Sequence, residues 1–135
     1  MRITSNYEEK AKQNLRDSVS LIHSQGYSSS INRSYYSCLQ TIFHILFTKK
    51  KYEKKQFVAD TKNNQKGSHV QAALLIGIEL AKINLEDYYW FKRHFSDLKK
   101  LREKADYSED LIDQEEVYQA LRKAESIIKL IRKIP

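Results

Sequence analysis

The sequence predicts an all-α fold, an antiparallel up-and-down bundle of four to five helices in one domain spanning residues 1–135. Three observations carry this. The 135 residues include three Gly and one Pro, and that Pro is the last residue, so few positions break a helix. Apolar residues recur at three- and four-residue steps along most of the chain. The hydrophobic and charged shares, 41% and 30%, are those of a globular domain with a real core.

The elements follow in order. A first helix is predicted from about Tyr7 to Ser24, with Tyr7, Ala11, Leu15, Val19 and Ile22 on its inner stripe. Gly26 reads as its C-terminal cap, and Ser28 to Ser30 supply cap oxygens for the next helix. The second helix, about Ser29 to Lys50, carries the broad apolar face Ile31, Tyr35, Cys38, Leu39, Ile42, Phe43, Leu46 and Phe47, which predicts a central place. Tyr52 to Val58 reads as a short or frayed helical piece, and residues 59–67 as a mobile loop. Ser68 is the expected cap of a third long helix, with Val70, Ala73, Leu74, Ile76, Ile78 and Leu80 as its apolar residues. Gly77 in its middle costs about 1 kcal/mol relative to alanine, which close helix packing would explain. Asn84 caps a fourth, Leu85 to Asp106, lined by Tyr88, Phe91, Phe95, Leu98 and Leu101. After a turn at Ser108 to Asp113, a fifth runs from about Gln114 to Lys133.

Composition narrows the function classes. The polar segment Met1 to Lys10 is not a signal peptide. The longest apolar run, Ala72 to Leu80, is interrupted by Glu79 and is too short for a membrane span. A cytoplasmic protein without membrane contact is expected. The single cysteine, Cys38, can form no internal disulfide and reads as a buried thiol. The net charge of +7 is uneven. A basic patch, Lys49, Lys50, Lys51, Lys54 and Lys55, continues to Lys62 and Lys66, and a second basic group closes the chain. Such asymmetry suits a polyanion such as RNA. It equally suits a solvated loop and a helix C-terminus.

Two stretches are unlike helix filler: Asn32-Arg33-Ser34-Tyr35-Tyr36 and Arg102-Glu103-Lys104-Ala105-Asp106-Tyr107. Each sets an arginine near tyrosine within an amphipathic pattern, and an arginine facing the interior needs a partner. Arg33 and Tyr36 are one turn apart. They suit phosphate binding with base stacking or hydroxyl contact, or a structural salt bridge with tyrosines filling core. Arg102 and Asp106 share a face, but in the weaker order for an intrahelical pair. Asp106 is therefore expected to serve another helix, with Arg33 as its partner within hydrogen-bond reach. His69 near a helix start suits capping or a phosphate. His23, His44, His69 and His94 show no metal-ligand spacing, and no phosphate loop, nucleophile elbow or catalytic triad signature is present. No metal and no cofactor is expected.

With these stretches in place, the chain resembles the HEPN superfamily of prokaryotic helical bundles. The likeness is greatest to the branch encoded beside a minimal nucleotidyltransferase. It rests on Arg33-Ser34-Tyr35-Tyr36 in the second helix, Ser68-His69 at the third, and Arg102, Ala105, Asp106 and Tyr107 ending the fourth. The resemblance implies a helical bundle, a homodimer, and a toxin–antitoxin or defence setting. Many members are metal-independent ribonucleases with an arginine followed after four to six residues by a histidine. Here Arg102 is followed by Asp106 and no histidine, and an ionised aspartate repels phosphate. Arg16 to His23 has the spacing but lies in the first helix. The resemblance therefore implies a domain without its own catalysis. It would partner a nucleotidyltransferase, or bind RNA or nucleotide near Arg33, Tyr36, His69, Arg102, Asp106 and Tyr107. The alternative is an RNA endonuclease toxin with a departed catalytic set.

Overall fold

The computed structural model describes residues 6–135; Met1 to Ser5, part of the polar N-terminal segment, lie outside the described residues. Every regular element among the described residues is helical. They are α1 (Asn6–His23), α2 (Tyr27–His44, continued by a π-helical turn Ile45–Lys49), α3 (Lys54–Asn63), α4 (Ser68–Ile83), α5 (Leu85–Tyr107) and α6 (Gln114–Ile131). The central helix is α2, which touches α1, α4, α5 and α6. Its Ile31, Tyr35, Leu39, Ile42 and Leu46 are buried. Against them pack Phe91, Phe95 and Leu98 of α5, and Val117, Ala124, Ile127 and Ile131 of α6. Their burial is the main stabilising term of the fold.

The α1–α2 contact is built on small hydroxyl residues. Ser30, Ser34, Ser37 and Thr41 recur at helical spacing and are buried. The Ser30 hydroxyl donates to the Ser18 carbonyl at 2.8 Å, which brings the two backbones close. This shifts the inner stripe of α1 from the expected one: Ser18 is buried and Val19 is exposed. The turn also departs from expectation. Gln25, not Gly26, holds the left-handed conformation with φ 63. The Gln25 N–H bonds to the Ile22 carbonyl at 3.0 Å and the Gly26 N–H to the Leu21 carbonyl at 2.7 Å, the bond pair of a Schellman closure. Gly26 is the N-cap of α2, with no side-chain cap from Ser28 to Ser30.

The polar segment after α2 holds more helix than its composition predicts, so the described residues form six α-helices. The helix α3 extends to Asn63, and the expected loop 59–67 is reduced to the turn at 64–67. Its anchor is Phe57, buried with its ring edge-on to Phe43 and Phe47 at 5.9 and 5.3 Å. One such residue is too little for periodicity to register. Gly67, not Ser68, is the N-cap of α4.

Asn84 caps α5 as expected, its side chain accepting from the Asp87 N–H at 3.1 Å. Gly77 is a close-packing glycine: a Cβ there would lie 3.1 Å from Tyr88 Cε2. Val70, Leu74 and Ile78, by contrast, are exposed. The helix α4 is apolar over most of its circumference and buries Gln71 and Glu79, so periodicity does not choose its buried face. At α6, Asp113 and Glu116 form a reciprocal capping box, and Glu116 also takes Lys104 at 2.7 Å. Replacing Asp113 by alanine is expected to cost about 1 kcal/mol. The measurement is the midpoint of thermal unfolding by circular dichroism; an unchanged midpoint would deny the cap any contribution.

Candidate functional site

The polar centre lies where α2, α4 and α5 meet, and Tyr35 organises it. Its ring is fully buried, stacked on Phe95 at 5.5 Å and edge-on to Tyr36 at 5.2 Å. Burial pushes its phenol up to about 12, so it is neutral and carries a proton to donate. Its hydroxyl lies 3.0 Å from Nδ1 of His69 and has no other hydrogen-bond partner among the described residues. A buried hydroxyl proton needs an acceptor, so the phenol donates to Nδ1. The neutral imidazole then carries its own proton on Nε2.

His69 is held neutral as well as oriented. Burial, then the nearby Arg102 guanidinium and Lys99 ammonium, lower its pKa below the usual 6.5. The native state thus binds this proton less tightly than the unfolded chain. The stability His69 contributes is complete above about pH 6.5 and is lost as pH falls through the lower native value. An NMR titration of the His69 ring is expected to give a midpoint below 6.5 that rises in Arg102→Met. A midpoint at or above the unfolded value would contradict the geometry.

Arg102 closes the other side of the Tyr35 ring. It is buried, its guanidinium carbon 4.9 Å from the Tyr35 centroid and 5.7 Å from that of Tyr107. Nη1 donates to the Asp106 carboxylate and to the Tyr107 hydroxyl, each at 3.4 Å. Nε is buried without a partner, and Nη2 donates to no group among the described residues. Burial loosens the Arg102 proton, but Tyr107, the neighbouring tyrosines and Asp106 more than offset this and raise its pKa.

The structure brings Tyr36, His69, Arg102, Asp106 and Tyr107 together and leaves Arg33 out. The expected Arg33–Asp106 pair is not formed. Asp106 instead accepts from the Asn32 amide at 3.1 Å, while Arg33 is exposed and reaches Asn14 of α1 at 3.4 Å. The reason is helical phase: Asn32, one position earlier, points α2 toward α5, which turns Arg33 toward α1. Arg33 lies in a polar cleft of about 450 Å³ between α1 and α2, with Lys10, Gln13 and Asn14, which borders the centre at Asn32 and Tyr36. Arg102 is the buried arginine and Arg33 the exposed one.

The basic patch is largely occupied by its own fold. Lys49 donates to the Ile134 carbonyl at 3.3 Å, and Lys50 pairs with Glu79 at 3.5 Å. Lys54 lies over the Tyr7 ring at 4.9 Å. Lys51 and Lys55 are exposed. His94 is half-buried and stacks on Trp90 at 4.1 Å. No cluster among the described residues has the makings of a metal site.

The sequence marks Asn32 and Tyr35 only as members of an unusual stretch, assigns neither a partner, and gives no sign of Lys99. Tyr35 was legible only as one of a tyrosine pair; its hydrogen bond crosses 34 positions. The assembled centre presents an imidazole N–H, a guanidinium with unspent donors and a lysine, the donor set of an anion site. The Asp106 carboxylate is turned aside onto Nη1 and Asn32. Comparison with protein-family models, with curated proteins and with solved structures finds no match to this chain.

Proposed function

We propose that this chain is a HEPN-like helical domain that binds RNA or a nucleotide through a phosphate held by Arg102, His69 and Lys99. In this reading it has no catalysis of its own. It partners a nucleotidyltransferase-type protein in a toxin–antitoxin or defence system. The observation that carries the binding reading is the Tyr35–His69 hydrogen bond. It makes His69 a donor beside a guanidinium whose Nη2 is unspent, a charged donor suited to a phosphate oxygen. Tyr36 and Tyr107 flank the position with ring faces suited to a base.

The test is fluorescence anisotropy with a labelled single-stranded RNA. Binding is expected to weaken with salt and to fall about tenfold in His69→Ala and in Lys99→Gln, at one to two kcal/mol per lost contact, roughly. Absent or salt-independent binding would sink the reading. The partner role expects co-purification with a nucleotidyltransferase encoded next door.

A second reading, metal-independent RNA cleavage, is favoured by one observation: a neutral histidine and an arginine meet across helices although no sequence motif joins them. His69 would take the 2′-hydroxyl proton as the 2′-oxygen attacks phosphorus and the 5′-oxygen leaves. That needs a lone pair on Nε2, hence the opposite tautomer, which strands the Tyr35 hydroxyl proton. Cleavage of RNA by pure protein in chelator, lost in both Arg102→Met and His69→Gln, would replace the binding-only reading.

A further inference from the structure

The exposed large apolar side chains of this molecule concentrate on one edge: Val70, Leu74 and Ile78 of α4, then Ile83, Leu85 and Tyr89 around the turn into α5. The first three are spaced four residues apart and form one wall of a groove of about 490 Å³ between α4 and α5. Tyr88, Phe91 and Phe95 form the opposite wall, and Lys92 and Lys99 stand on the rim. From His69 to Ala81 the groove follows α4 for about 18 Å at 1.5 Å per residue. That is the length of about three helical turns. The helices α2, α3 and α5 cover the other faces of α4, and the apolar stripe Val70, Leu74 and Ile78 is left exposed. Apolar surface extends past the groove at Ile83, Leu85 and Tyr89, more than a small ligand would cover.

The rim decides the occupant. No carboxylate lines the groove, and its charged groups are lysines. A two-fold pairing of this face with itself would set Lys92 and Lys99 against their own copies, which is unfavourable. The chain's exposed acidic tip, Glu109-Asp110-Leu111, lies in non-helical chain between α5 and α6 and offers one apolar anchor to a groove built for three. We propose that the α4–α5 groove docks an amphipathic helix of a different protein. That helix inserts apolar residues between Val70, Leu74 and Ile78 and sets carboxylates against Lys92 and Lys99. The groove shares Lys99 and its His69 end with the proposed phosphate site, whereas Ile78 and Lys92 lie toward its other end, so variants there test the docking site separately.

The probe is a synthetic amphipathic peptide of about four helical turns, with leucines at helical spacing and glutamates beside them. A control peptide carries lysine for glutamate. Isothermal titration calorimetry with the full chain is expected to show micromolar, salt-sensitive binding of the acidic peptide alone. Amide NMR shifts should follow α4 and α5. Ile78→Asp should weaken binding at least about tenfold and Lys92→Glu about fivefold, magnitudes of an interface anchor and a rim charge. Both should keep the wild-type unfolding midpoint and RNA affinity. No binding of the acidic peptide at millimolar concentration overturns the proposal, as does equal binding of the lysine peptide. A wild-type dimer by light scattering that Ile78→Asp dissociates would overturn it in favour of a second copy.

Discussion

Arg102→Met is expected to leave the protein folded and, on the proposed phosphate reading, to remove most of its affinity for RNA. Methionine keeps an apolar stem across the Tyr35 ring, while the buried charge and its unpartnered Nε are removed. Asp106 is not stranded: its side chain is 24% exposed and it keeps the Asn32 amide. The stability change should therefore stay within about 1 kcal/mol. Lost hydrogen bonds from a charged donor are worth about 1.5–3 kcal/mol, roughly a 10- to 100-fold loss of affinity. Arg102→Ala loses the stem as well and should cost about 1–3 kcal/mol of stability. Unfolding midpoints and anisotropy on the same samples separate the two effects. If Arg102→Met binds RNA like the wild type, the guanidinium is a structural strut and the phosphate reading falls.

The largest stability loss is expected at Tyr35. Its side chain is fully buried against Phe95, Tyr36, His69 and Arg102, so Tyr35→Ala opens a cavity in the central helix. Large aromatic-to-alanine changes of this kind cost about 3–5 kcal/mol, which lowers the unfolding midpoint by roughly 10–20 °C in a domain of this size. Tyr35→Phe keeps the packing and removes one hydrogen bond, at about 1 kcal/mol. It also releases Nδ1 of His69, so the imidazole should change from the Nε2–H tautomer to a mixture. Ring nitrogen chemical shifts report that directly. An unchanged tautomer in Tyr35→Phe would mean that the phenol does not orient the ring.

The helix-spanning parts of the fold were legible because their signals are local. The inner faces of α2, α5 and α6 repeat at helical steps, and the Asn84 cap lies three residues from the N–H it takes. The errors have equally physical causes. Ser18 and Ser30 are buried because backbones approach there, which polarity does not announce. Residues 59–63 are helical because Phe57 alone anchors α3. At the polar centre, the sequence points to Tyr36, His69, Arg102, Asp106 and Tyr107 but pairs Asp106 with the wrong residue of α2. Asn32 takes the role expected of Arg33, since one residue on a helix is about 100° of rotation, and the rotation depends on what the rest of α2 must bury.

The sequence by itself determined the helical class of the described residues, the central helix and several of the polar residues that meet between α2, α4 and α5. Those follow from periodicity, breakers and caps, which act within a few residues. Only the tertiary structure decided that Arg102 is buried and Arg33 is exposed. It alone joined His69 to Tyr35 and left α4 with an uncovered apolar face. Each of those depends on how whole helices are rotated and docked, a matter of summed packing over distant positions.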